Sequence, residues 1–289
     1  MSRVYFKNGK NYHIKNNDYV KVIEYSNKKE LKIKSSSNHN NHLKNFVKLS
    51  KEEYLNKETG EILKYDLNEK RNERAIKSSM KKLKELLKNN FNGDKNEAFL
   101  TLTYEEVESD LDNAVKDMGE FWKKLKKEFQ DLEFVGVIEE QKRKSWHIHM
   151  LLKNIGHKSI FIPEEEIKRL WNKGNISISK ISKRGIKNAF YEEEMSDEED
   201  DADDTAEPIE RVIGYMCKLE SKENTPKGKK MYYKSRGIKF PKESKMKYEE
   251  VLKLIDKWYL YYEKTVLVVS IKTDNIVNKI KLEIYRSPE

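Results

Sequence analysis

Apolar and polar positions alternate with two periods along the chain. A period of two runs through residues 3–34, 98–104, 134–153, 175–181, 266–272 and 276–285. Side chains alternate faces along a strand, so these stretches are predicted as strands. Asn-Gly and Asn-Lys turns divide 3–34 into small hairpins. A spacing near the helical period marks 66–90 (Ala75, Ile76, Met80, Leu83, Leu86, Leu87) and 111–129 (Ala114, Met118, Phe121, Trp122, Leu125). It recurs from Pro163 through Trp171, where three glutamates sit at the positive end of the predicted helix. Residues 208 to about 223 carry the stripe Ile209, Val212, Ile213, Met216 and Leu219, and 247–264 reads as a last helix. The order of elements predicts an α+β fold: a central antiparallel sheet with helices on one face, ferredoxin-like or RNA-recognition-like, plus small terminal β elements. The expected division is a β-rich accessory segment at 1–65, a principal domain at 66–245, and a helix with a β-hairpin at 246–289. The closing strands are available to pair with the N-terminal ones. Residues 35–50 are rich in Ser, Asn, His and Lys and read as a mobile loop in which His39 and His42 are solvated.

The predicted hairpin from Val135 to Leu152 carries the candidate chemistry. His147 and His149 point the same way, while Ile148 and Met150 point the other way, into a core. Two imidazoles one pleat apart can hold one metal ion. The preceding strand ends in Glu139 and Glu140, either of which supplies a third ligand. Two histidines and one carboxylate leave coordination positions open, as a catalytic metal requires.

Charge adds a partner class. The 289 residues hold 59 Lys and Arg against 50 Asp and Glu, a net charge of +9. Eleven of those acids fall in residues 192–207, leaving 59 bases against 39 acids elsewhere. A basic body favours a polyanion, most simply nucleic acid. The acidic run has too little apolar content to fold and is expected to be a disordered insert. A single cysteine, Cys217, excludes a disulfide framework and a cysteine-based zinc site, which fits the cytoplasm. No apolar run is long enough to span a membrane, and MSRVYFKNGK lacks the centre of a signal peptide. A GxxxxGK[ST] nucleotide-binding loop is absent.

Three stretches stand in a recognisable order: Phe99-Leu-Thr-Leu-Thr-Tyr104, His147-Ile-His149 and Tyr215-Met-Cys-Lys218. Between and after them come Glu139, Gln141-Lys-Arg143, Leu170-Trp-Asn-Lys-Gly174 and Ser235-Arg-Gly-Ile-Lys-Phe-Pro241. The set resembles the HUH endonuclease superfamily, and within it the rolling-circle replication initiators (Rep proteins) of plasmids and phages. The resemblance covers roughly residues 66–245 and makes that span the endonuclease domain. Many relatives have a second tyrosine four residues after the first. Here Leu219 stands there, which implies a single-tyrosine enzyme.

The resemblance implies metal-dependent, site-specific nicking and joining of single-stranded or hairpin origin DNA through a covalent 5′-phosphotyrosine. Tyr215 is the implied nucleophile. Lys218, three residues on, stabilises the phenolate or contacts the phosphate. His147, His149 and Glu139 hold Mn²⁺ or Mg²⁺, with Glu140 the substitute if the hairpin register differs by one. Lys142, Arg143, Lys144, Lys222, Lys234, Arg236 and Lys239 are candidate phosphate contacts. Trp146, Tyr232 and Tyr233 are candidate stacking platforms, although Trp146 alternatively points into the opposite core. A host helicase and polymerase are the implied protein partners. A relaxase or transposase with the same chemistry is the near alternative, and a non-catalytic nucleic-acid-binding domain the distant one.

Overall fold

The computed structural model describes residues 4–8, 14–16, 18–26, 30–36, 46–50, 53–56, 60–64, 69–141, 143–181, 207–218, 224–226, 228–270 and 276–288. The fold is α+β, and the chain divides into two compact units: residues 72–240, and residues 1–71 together with 241–289. Most of the acidic insert (192–206), Leu219, Lys142, Lys222, His39 and His42 lie outside the described residues.

The first unit is built on a five-stranded antiparallel sheet. Its strands are β7 (Glu97–Thr103), β8 (Leu132–Glu140), β9 (Trp146–Asn154), β10 (Ile176–Lys180) and β11 (Tyr233–Lys234). They lie in the order β10-β7-β9-β8-β11. Helix α2 (Leu111–Glu128) follows β7, and α3 (Glu164–Trp171) links β9 to β10. This β-α-β-β-α-β succession is the ferredoxin-like motif. Asp110 caps α2 by accepting from the Asp112 amide at 2.8 Å.

Helices cover both faces of this sheet, not one. Leu100, Leu102, Ile148 and Met150 pack with α2 and α3 residues Met118, Phe121, Leu125, Ile167 and Trp171. On the opposite face Phe99, Val135, Val137 and Leu151 pack with α1 (Glu69–Asn90) and α4 (Pro208–Met216), through Leu83, Leu87, Val212, Ile213 and Met216. Three apolar positions per two turns on each extra helix need a second apolar surface. The reverse side of the sheet supplies it. The last helix of this unit is shorter than its periodicity predicts: α4 stops at Met216, and the Cys217 amide donates back to Ile213 and Gly214.

The terminal unit holds a six-stranded antiparallel sheet in the order β1-β13-β14-β3-β2-β12. The strands are β1 (Val4–Asn8), β2 (Tyr19–Tyr25), β3 (Glu30–Ser36), β12 (Lys242–Lys247), β13 (Tyr259–Ser270) and β14 (Ile276–Arg286). The closing strands thus do pair with the N-terminal ones. The helix expected over 247–264 is confined to α5 (Tyr248–Leu254), and strand begins at Tyr259. The aromatic and β-branched run from Tyr259 to Val269 has high β propensity, and β1 and β14 offer pairing on both sides. Helix α5 packs Tyr248, Val251 and Ile255 on Val20, Val22, Leu31 and Ile33. A separate three-stranded sheet comprises β4 (Phe46–Lys48), β5 (Glu53–Asn56) and β6 (Ile62–Lys64), so the end of the expected loop 35–50 is strand.

Candidate metal and nucleophile site

The hairpin β8–β9 fixes which glutamate faces the histidines. Glu139 lies directly across from His147, and Glu140 across from Trp146. Directly opposed residues share a face, so Glu139 joins the histidines and Glu140 does not. The turn sets this register: the Gln141 amide donates to the Ser145 carbonyl, and Lys144 takes a left-handed φ of 64°. Glu140 instead accepts from Asn224 Nδ2 at 2.6 Å and lies 3.4 Å from Lys144 Nζ.

Glu139, His147 and His149 are all buried, and one ligand atom from each lies within 4.8 Å of the others. His149 Nε2 is 3.1 Å from His147 Nε2 and 3.8 Å from Glu139 Oε2. Neighbouring donors around an octahedral ion with bonds of about 2.1 Å stand about 3.0 Å apart, so the imidazole spacing suits one shared cation. The chemistry of the three donors fits as well, since neutral imidazoles and a carboxylate are ordinary ligands of divalent metals.

Strand β7 orients His149. Thr101 lies across from His149 in the ladder, and its Oγ1 is 3.0 Å from His149 Nδ1. When Nδ1 carries the ring proton and gives it to this hydroxyl, the Nε2 lone pair faces the cluster. Phe99, two residues earlier on the same face, stacks on the imidazole with ring centroids 5.5 Å apart and planes 13° apart. The pattern of the sequence assigns neither residue a role. A signal for both exists there: they alternate along a strand that must lie somewhere in the histidine sheet.

Helix α4 delivers the phenol to the same place. Tyr215 Oη is 3.1 Å from His149 Nε2, and its ring meets the imidazole edge-on at 5.0 Å and Phe99 at 6.3 Å. Buried Ile209, Val212, Ile213 and Met216 anchor the rest of that helix. Tyr104, by contrast, is held away from any such role. Burial first, and then the Asp117 carboxylate that accepts its proton at 3.0 Å, push its phenol far above the ordinary tyrosine range.

The remaining candidates scatter. Lys218 is exposed and lies past the end of α4, so it does not continue the helical face of Tyr215. Its amide donates to the Tyr215 carbonyl. Trp146 is a correction: it is 5% exposed, on the face opposite the histidines, and its indole N–H donates to the Ser109 carbonyl, so no base can stack on it. Arg143 is exposed and reaches the Tyr104 carbonyl at 2.7 Å, and Lys144 is exposed at the turn.

Tyr232 and Tyr233 are half-buried and pack against opposite cores, so they do not form one platform. Arg236 and Lys239 are exposed, while Lys234 Nζ donates to the Ile238 carbonyl at 2.6 Å. Their loop is clamped to β8. Ser235 Oγ accepts from the Phe134 amide, and the Gly237 amide donates to Glu133. A side chain at Gly237 would run into that carboxylate.

A ferredoxin-like α+β module with a buried Glu-His-His cluster and a phenol on an adjoining helix defines a class of candidate metal-dependent proteins. Residues 97–196 match the family model of the replication-associated protein ORF2/gene-2 protein. The match spans 100 of the 289 residues, from β7 through β10 and beyond, and contains all three cluster residues. It supports a role in replication initiation, in line with the rolling-circle resemblance. Tyr215 and the late basic loop lie outside it. No curated protein matches the chain, and no solved structure does. Among the described residues no helix is long and apolar enough to cross a membrane.

Proposed function

We propose that the protein is a cytoplasmic rolling-circle replication initiator that nicks and rejoins single-stranded origin DNA through Tyr215. The observation that carries this reading is the 3.1 Å approach of Tyr215 Oη to His149 Nε2, at the edge of the Glu139-His147-His149 cluster. Two elements 66 residues apart in sequence bring a nucleophile and three metal-ligand side chains together.

Glu139, His147 and His149 would hold Mn²⁺ or Mg²⁺, which neutralises charge on a scissile phosphate and so favours attack by an oxygen nucleophile. Thr101 and Phe99 keep the His149 ring in the orientation that this requires. Tyr215 Oη forms a bond to phosphorus, and the P–O3′ bond breaks with its electron pair passing to O3′. The phenol gives up its proton to solvent, and O3′ takes one, leaving a 5′-phosphotyrosine and a free 3′ hydroxyl. That hydroxyl primes synthesis, and the covalent link conserves the bond for rejoining. Lys218, Arg143 and Lys144 are the described basic side chains nearest in sequence to this chemistry, and we assign them to phosphates of the bound strand.

The test is an end-labelled pool of single-stranded oligonucleotides mixed with the protein and Mn²⁺. A covalent protein–DNA adduct should form, should vanish with EDTA, and should vanish in Tyr215→Phe. An adduct that persists in Tyr215→Phe overturns the assignment.

A further inference from the structure

The terminal unit carries a second surface with its own chemistry. Its residues, 1–71 and 241–289, hold 26 Lys and Arg against 17 Asp and Glu, while residues 72–240 hold 33 of each. The whole excess of +9 therefore belongs to the terminal unit.

One face of its six-stranded sheet is covered by α5. The register places the basic side chains on the other face. Lys245 lies across from Lys21, Lys21 across from Lys34, Lys34 across from Leu282, and Leu282 across from Lys264. Four of five positions in one row across the sheet are lysine. With strands about 4.8 Å apart the row is about 19 Å long. Like charges directly opposed across a ladder are destabilising. Glu243 pairs with Lys21 at 2.7 Å, but both side chains are about half exposed, where such a pair contributes little.

Tyrosines flank the row on the same face. Tyr19 is 47% exposed, with Lys245 Nζ 5.3 Å from its ring centroid. Tyr262, two residues from Lys264, and Tyr259, across from Arg286, are 43% and 53% exposed. Ile23 and Tyr25 on this face are buried, so the open part is the lysine row and its aromatic margins.

We propose that this face binds single-stranded DNA. The lysine row follows a polyanion, and phenol rings open to solvent offer stacking surfaces that only unpaired bases can use. Paired bases have no free face for them, which sets duplex DNA aside. The inference does not depend on the metal cluster or on Tyr215.

The experiment uses the full chain with Tyr215→Phe, in EDTA, so that neither metal nor adduct contributes. A fluorescent oligothymidine is titrated at several salt concentrations. Replacing Lys21, Lys34, Lys245 and Lys264 together by Gln should lower the log–log salt slope by about 0.7 for each phosphate no longer neutralised, about 2 to 3 in all. Tyr259→Ala with Tyr262→Ala should weaken binding on the order of tenfold with the slope unchanged. Removing the opposed charges should leave the melting temperature of the four-lysine variant at or above that of the parent. Should that variant fail to fold, Lys264→Gln alone carries the test, with a slope change of about 0.7. Unchanged affinity and slope overturn the proposal. So does tighter binding to a duplex of equal length, or binding to phosphatidylserine vesicles in place of the oligonucleotide.

Discussion

At His149 a single hydroxyl decides which ring nitrogen faces the cluster. Thr101 is buried and 3.0 Å from Nδ1, so its loss frees the ring to change tautomer. Thr101→Val keeps the shape and removes the partner. It should weaken Mn²⁺ binding by about 10- to 100-fold, read by calorimetry, with little change in the fold. Trp146 makes the opposite prediction. Buried among Leu111, Ile138 and Ile148, it is a packing residue, and Trp146→Ala should cost about 3–5 kcal/mol in a denaturant titration. A stacking platform would instead lose DNA affinity at unchanged stability. The sequence alone shows that both histidines share a face, because a period of two leaves no other option. It does not show which glutamate joins them. A turn with Lys144 at positive φ decides that, and no residue pattern in Gln141–Ser145 announces it.

Among the elements, the late loop depends most directly on pH. Burial pushes the Glu133 carboxyl up, but the Ser235 hydroxyl, the Gly237 amide and the Lys126 ammonium together outweigh it and hold the group below the ordinary carboxylate range. A depressed folded-state value stabilises above the unfolded pKa of about 4.3 and is lost as pH falls through the folded one. The Ser235–Gly237 segment should therefore detach from β8 in acid before the sheet unfolds. Amide exchange at Gly237 checks this, and Glu133→Gln should loosen the segment at neutral pH as well. Elements are legible in the sequence where one period dominates, as in α2 and β9. They are not over 247–264, where Tyr and Leu recur at both strand and helix spacing. There, pairing on both edges of β13 overrides the local pattern. The periodicity places α4 but makes it too long, since Leu219 extends the apolar stripe past the point where the chain turns at Cys217.

In the whole molecule, chemistry and charge fall in different units. Residues 72–240 hold the cluster, the phenol and the family match through 196, with no net charge. The terminal residues hold the basic excess. The second apolar face of the ferredoxin-like sheet, which the order of elements does not predict, is what seats α4 and hence Tyr215 beside the histidines. The most direct test of that arrangement is anomalous diffraction from crystals soaked in Mn²⁺. The account predicts a peak within about 2.2 Å of both imidazole Nε2 atoms and a Glu139 oxygen, with Tyr215 Oη lining the same cavity. A peak elsewhere, or none at a concentration that saturates binding in solution, would contradict it.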